Sequence, residues 1–210
     1  MKIGLIGGGG FAKEVAEIAE LNGFEIAGYF SDLPANTKWL YLGKLSEAEK
    51  FKEKMHFAFC IGAVNGASLR RRREIILSFK ERNLIFETLI SPKAVVSAGV
   101  QLGAGVIVAH GAILSVDARI GDFCILNTGV VVGHDAKVGF NSILAPLCFL
   151  GGNVEIESDV LVGPNSSILE LRKVGRNSVI GCGAVVHRNT KPNTTLMPIN
   201  TKAMHIELDE

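Results

Sequence analysis

From Ile90 onward, every sixth residue is aliphatic. The column runs Ile90, Val96, Leu102, Val108 and on through Val174, Ile180 and Val186, seventeen positions without an exception. Two residues before each lies a second column of small residues, Ala94, Val100, Val106, Ala112 and on to Ser178 and Ala184, broken only by Arg172. A period of six matches neither the turn of an α-helix nor the heptad of a coiled coil. It predicts short strands joined at corners, with one large and one small side chain pointing inward in each six. Three such units would close a triangular turn of eighteen residues, stacked as a parallel β-solenoid. Glycine follows the aliphatic residue at eight places, Gly103, Gly133 and Gly151 among them, as expected of corners that need a positive φ.

The first 85 residues are patterned differently. Met1 to Gly7 reads as a strand entering Gly7-Gly8-Gly9-Gly10, and apolar residues recur at helical spacing over 11–21 until Asn22-Gly23. A second strand is predicted over 24–30, a helix near 46–54, a strand over 56–61, a helix over 68–82 and a strand from Leu84 into Ile90. Strands alternating with helices predict a parallel α/β sheet. The fold class is therefore α/β plus β-solenoid, with a small Rossmann-like unit over 1–85 followed by coils over 86–210.

Composition narrows the function. The 22 Lys and Arg nearly balance 21 Asp and Glu, for a formal charge of +1, which argues against nucleic acid as a partner. No apolar run approaches the roughly 18–20 residues that span a bilayer, and Met1 leads into a strand rather than a charged leader. A cytoplasmic protein without membrane insertion is expected. Cys60, Cys124, Cys148 and Cys182 form no CxxC pair and have no close histidine, so buried free thiols are expected rather than disulfides or a metal site.

Glycines between a first strand and a helix let backbone approach a diphosphate, and the helix N-terminus supplies N–H donors. Gly7 to Gly10 is such a segment, although Ala12 stands where a GxGxxG motif has its third glycine. Asp32, ending the second strand, is placed to read a ribose hydroxyl. A dehydrogenase is disfavoured, because the solenoid consumes the length a hydride-transfer domain needs.

The two columns and their glycines resemble the bacterial hexapeptide-repeat family. A small Rossmann-like unit running directly into such coils resembles the PglD-type sugar acetyltransferases and the sialic acid O-acetyltransferase group, from Gly7 to about Val186. The resemblance implies a left-handed β-helix, a homotrimer, acetyl-CoA as co-substrate between subunits, and a nucleotide-linked amino sugar on the N-terminal unit. Carried over by position, Gly8, Gly9, Gly10, Ser31, Asp32 and Gly62 would hold the nucleotide-sugar. Asn127-(x6)-His134-Asp135 resembles the N-(x6)-H-[ED] signature in which histidine is the base, and Gly152, Pro164 and Cys182 fall on positions that line the pantetheine arm.

The chemistry suits these residues. An imidazole with a pKa near 6.5 takes a proton from an attacking amine at neutral pH, a neighbouring carboxylate orients it, and the Gly151-Gly152 corner offers N–H donors to the oxyanion. Direct attack needs no acyl-enzyme, and no cysteine is positioned by motif to form one. Arg188 and Lys191 are candidate partners of a CoA phosphate. Arg70 to Arg73, on a predicted helix, reads as a solvated or interface face. His110, 24 residues before His134, falls at a different corner and is not its partner.

Two departures from the family pattern stand out. Ile143 occupies the place of a second histidine nine residues after the first, and Met197 to Lys202 replaces the usual ending, which leaves the CoA adenine contacts open. The expectation is an acetyl-CoA-dependent N-acetyltransferase acting on a UDP- or dTDP-linked 4-amino-deoxy sugar in lipopolysaccharide O-antigen or related glycan biosynthesis, with no metal. The alternatives are a sugar O-acetyltransferase and a non-catalytic nucleotide-sugar scaffold. A γ-type carbonic anhydrase is disfavoured, since a third metal-binding histidine is missing.

Overall fold

The computed structural model describes residues 1–198. It begins with a parallel sheet of β1 (Lys2–Ile6), β2 (Glu25–Phe30), β3 (Tyr41–Gly43) and β4 (His56–Phe59), in the order β3-β2-β1-β4. α1 (Gly10–Leu21) covers one side through Ala12, Val15, Ala16, Ile18 and Ala19. α2 (Gly66–Glu81) and a 3₁₀ turn at Leu45–Phe51 cover the other, where Ile76 and Phe79 of α2 pack on Phe30, Phe57 and Phe59.

Three local expectations are corrected. The segment near 46–54 is that 3₁₀ turn; it buries only Ala48, too little apolar surface to hold an α-helix. The strand from Leu84 splits, with Phe86 bridging to Phe57 while Leu89–Ile90 already pairs with Ile107–Val108 in the solenoid. β3 is an additional edge strand, too short to show a period.

The solenoid has about 6 turns. Its strands pair in parallel in steps of eighteen, Ile107 with Ile125 and Ile125 with Ile143, until a final step of sixteen from Val179 to Thr195. Both columns point inward and form one buried core. Three faces result. The first, with Ile107, Ile125, Ile143 and Leu161 facing outward, is buried beneath the α/β unit. The second presents Ile113, Val131, Phe149 and Val185, and the third presents Arg119, Lys137, Glu155 and Lys173.

The glycines after the aliphatic column serve a purpose other than the expected one. Positive φ falls two residues later, mostly at Asp, Asn or Gly, such as Asp117, Asp135, Asn141 and Gly105, residue types that tolerate it, and also at Phe123, Leu147 and Leu171. Glycine is needed where it stands because the next coil is too close. A Cβ on Gly133 would lie 2.6 Å from the Gly151 carbonyl carbon, and one on Gly139 2.6 Å from the Ser158 nitrogen.

Candidate active site

The sheet order reverses beside β1, because the chain runs outward through β2 and β3 and then returns to β4. The crevice at the carboxyl ends of β1 and β4 is thus a topological switch point, where ligands of open α/β sheets bind. Gly7 makes the turn out of β1 with φ +107°. Gly8 is glycine because a Cβ would meet the Tyr29 ring at 2.8 Å. Gly9, the N-cap of α1, and Gly10 face open space, as does Gly62 beyond β4. These three border the crevice. Ser31 sits beside β3, its N–H donating to the Gly43 carbonyl, and Asp32 opens on a hollow of about 220 Å³ with Ser46, Arg71 and Glu74.

The solenoid candidates lie on two edges. His134 follows the second-face strand Val131–Val132 and stands at the edge between the second and third faces. Its Nδ1 is 2.8 Å from Asp135 Oδ2. An ionised carboxylate only accepts, so Nδ1 carries the proton and Nε2 is left with a free lone pair. Asp135 has φ +57°, so one residue both shapes the corner and orients the ring. The His134 ring lies over Gly152, one coil on, where a Cβ would meet Nε2 at 2.4 Å. The Gly151 N–H is engaged by the Ile168 carbonyl. The Gly152 N–H finds no acceptor among the described residues.

Asn127 stands at the preceding corner, where its Oδ1 accepts from the Thr128 N–H at 2.8 Å. Pro164 and Cys182 share that edge, between the first and second faces, one coil apart. Within one chain the motif residues therefore flank the second face rather than meet. Arg188 lies on the His134 edge, three coils on, and lines a hollow of about 360 Å³ with Lys191 and Thr194. Burial pushes the Cys124 and Cys148 thiols up to about 12, and Cys60 is raised further, which makes all three poor nucleophiles. Among the described residues no group of three His, Cys, Asp or Glu is placed to hold a metal, and no helix is long and apolar enough to cross a membrane.

Residues 2–75 match the family model described as the PglD N-terminal domain. The N-terminal unit is thus similar to the PglD N-terminal domain. No curated protein sequence matches the chain. Among solved structures, perosamine N-acetyltransferase from Caulobacter crescentus, as a histidine-to-asparagine variant in complex with CoA and GDP-perosamine, superposes with a TM-score of 0.88 at 27% identity, covering 98% of each chain. The acetyltransferase domain of PglB from Neisseria gonorrhoeae, in complex with acetyl coenzyme A, gives 0.86 at 25% identity over 94% of this chain and 96% of that one. WeeI from Acinetobacter baumannii, at 21% identity, 0.80, and 93% and 96% coverage, shares the fold. The chain has the two-part architecture of the PglD-like hexapeptide acetyltransferases.

The N-terminal α/β unit sits on the first face of the coils, and Ile143 lies inside that contact. That residue is 4% exposed and packs with Leu69, Ile125 and Leu161; an ionisable histidine there would be stripped of water. The basic run of α2 divides. Arg72 is buried and Arg73 pairs with Asp159 of the solenoid, whereas Arg71 pairs with Glu74 of its own helix at 3.2 Å. Sequence reasoning left this run as a solvated or interface face, and the structure divides it between the two. His110 also serves it, 2.5 Å from Ser91 Oγ through Nδ1 and 3.5 Å from Glu17 of α1 through Nε2. The replaced C-terminal segment lies outside the described residues beyond Pro198.

Proposed function

We propose that this protein transfers the acetyl group of acetyl-CoA to the amine of a nucleotide-linked 4-amino-deoxy sugar, with His134 as general base, in the cytoplasmic assembly of a surface glycan such as lipopolysaccharide O-antigen. The observation that carries the reading is the cluster at one solenoid edge: an imidazole held through Nδ1 by Asp135, its Nε2 free above a glycine whose N–H is unengaged. The neutral amine attacks the thioester carbonyl, forming the C–N bond. Nε2 takes the proton from the attacking nitrogen, the Gly152 N–H steadies the oxyanion, and the C–S bond breaks as the proton passes to the departing sulfur.

The acceptor is assigned to the crevice of Gly9, Gly10 and Gly62, with Ser31 and Asp32 toward the ribose and Gly8 supplying backbone. The donor is assigned to Gly152, Pro164 and Cys182. His134, Gly152 and Arg188 stand on one edge, the last about 14 Å from the first at roughly 4.8 Å per coil, a span suited to an extended coenzyme arm. Because the two sets flank the second face, a full site needs two chains side by side. The exposed Ile113, Phe149 and Val185 on that face support a homotrimer with those faces inward.

The sequence pointed to UDP or dTDP, whereas the Caulobacter relative binds GDP-perosamine, so GDP joins the candidates. That relative's N-acetyl transfer favours an amine over a hydroxyl acceptor. The test is thiol release from acetyl-CoA against GDP-, UDP- and dTDP-linked 4-amino sugars, with mass analysis of the product. His134→Ala is expected to lose 10²- to 10⁴-fold in rate while remaining folded. Turnover kept within about tenfold would remove His134 as the base.

A further inference from the structure

Arg72 projects from α2 and is fully buried, 0% exposed. Its Nε donates to the Ile61 carbonyl at 2.7 Å, and its Nη1 donates to Asn141 Oδ1. The guanidinium lies 5.0 Å from the centre of the Phe59 ring, and Nη2 finds no acceptor among the described residues. Asn141 is a solenoid corner residue with φ +58°, and its Nδ2 donates to Asp159 Oδ1 at 2.8 Å. Asp159 in turn holds Arg73.

A buried guanidinium with one donor unpaired is a poor way to stabilise a seam, since an apolar side chain of similar shape avoids the desolvation. What it does supply is directed reach in two directions. Ile61 is the residue before Gly62, and it presses on the glycine turn of β1, where a Cβ on Gly7 would lie 3.0 Å from Ile61 Cγ1. A chain of contacts thus runs from the solenoid corner through Arg72 to the wall of the crevice.

We infer that Arg72 is a positioning residue that fixes the crevice wall at Ile61–Gly62 relative to the solenoid, and so sets acceptor against donor. The inference rests on the function proposed above, with the acceptor in the crevice and the donor on the coils. Transfer between sites on two domains tolerates little relative error, since a displacement of about 1 Å costs on the order of 10²-fold in rate.

The experiment compares the full-length wild type with Arg72→Met, which keeps the bulk and removes the donors, Arg72→Lys, and Asn141→Gly, which suits the left-handed corner and removes the amide. Steady-state kinetics with acetyl-CoA and GDP-perosamine, or whichever amino sugar the wild type accepts, are measured beside thermal unfolding and calorimetric titration with the matching nucleoside diphosphate. Expected in Arg72→Met and Asn141→Gly is a loss of about 10²-fold in kcat/KM for the sugar, which includes a rise of about tenfold in its KM and in Kd for the nucleoside diphosphate, with KM for acetyl-CoA within about twofold and partial recovery in Arg72→Lys. An unchanged sugar KM in either folded variant, or equal rises in both KM values, overturns the inference. Failure of Arg72→Met to fold leaves Asn141→Gly as the deciding variant. If the wild type acetylates no amino sugar, the functional reading falls by itself, and an unchanged Kd in the variants then overturns the positioning role separately.

Discussion

Replacing Gly152 by alanine separates the site from the fold. The added methyl would lie 2.4 Å from Nε2 of His134, 2.7 Å from Cε1 and 3.0 Å from Cδ2. Carbon and nitrogen in contact keep roughly 3.4 Å or more, so the ring edge must retreat by about 1 Å, a misplacement that costs on the order of 10²-fold. Complete loss of the base would reach 10²- to 10⁴-fold. The fold has little to lose. Gly152 is not among the positive-φ glycines, the clashing atoms end a side chain that is 58% exposed, and a permitted Gly→Ala change gains about 0.4–1 kcal/mol from the unfolded chain. The expected variant keeps its melting temperature or gains slightly, while kcat in the thiol-release assay drops by about 10² or more. A folded Gly152→Ala enzyme with kcat within about tenfold of wild type would refute the geometry assigned to His134.

Phe149→Glu, in the middle of the exposed apolar face, should convert the assembly to monomers in light scattering and abolish turnover; an unchanged assembled mass would remove that face as the contact. Stability should also fall in alkali. The buried thiols of Cys60, Cys124 and Cys148 hold their protons above the ordinary value of 9.0, two of them to about 12, whereas the unfolded chain releases them. Above pH 9 the unfolded state therefore binds fewer protons, and the contribution that is complete below 9 is lost as pH climbs toward 12, at up to about 1.4 kcal/mol per unit for each thiol. Urea midpoints that stay level between about pH 8 and pH 10 would contradict this.

The solenoid was legible because its rule is local: one large and one small inward residue in each six, from Ile90 to Val186, encode both strand and corner. The same regularity misled at the glycines, since crowding by the next coil and a left-handed corner favour the same residue, and spacing cannot tell which acts. His134 and Asp135 were visible as neighbours, but the ring's relation to Gly152 needs the eighteen-residue stacking to appear. Ile143 read only as a departure at the place of a second histidine, since nothing in the repeat says which face a second domain covers. The run Arg70 to Arg73 read as a solvated or interface face without saying which arginine would be buried, and the contact that buries Arg72, with Asn141, spans 69 residues of chain.

Ile107, Ile125, Ile143 and Leu161 recur on one face at each turn, so the apolar ground under the N-terminal domain is nearly the same one storey up or down. Slid by a single rung, about 4.8 Å, the domain would still find greasy side chains beneath Phe11 and Leu69. What it would not find is both partners at once: one turn down Arg72 would meet Phe123, and one turn up it would meet Asp159 while Arg73 exchanged its carboxylate for Asn177. The polar pair acts as a key cut for one floor of a staircase whose steps are otherwise alike, and it denies the molecule a family of near-identical mispacked neighbours.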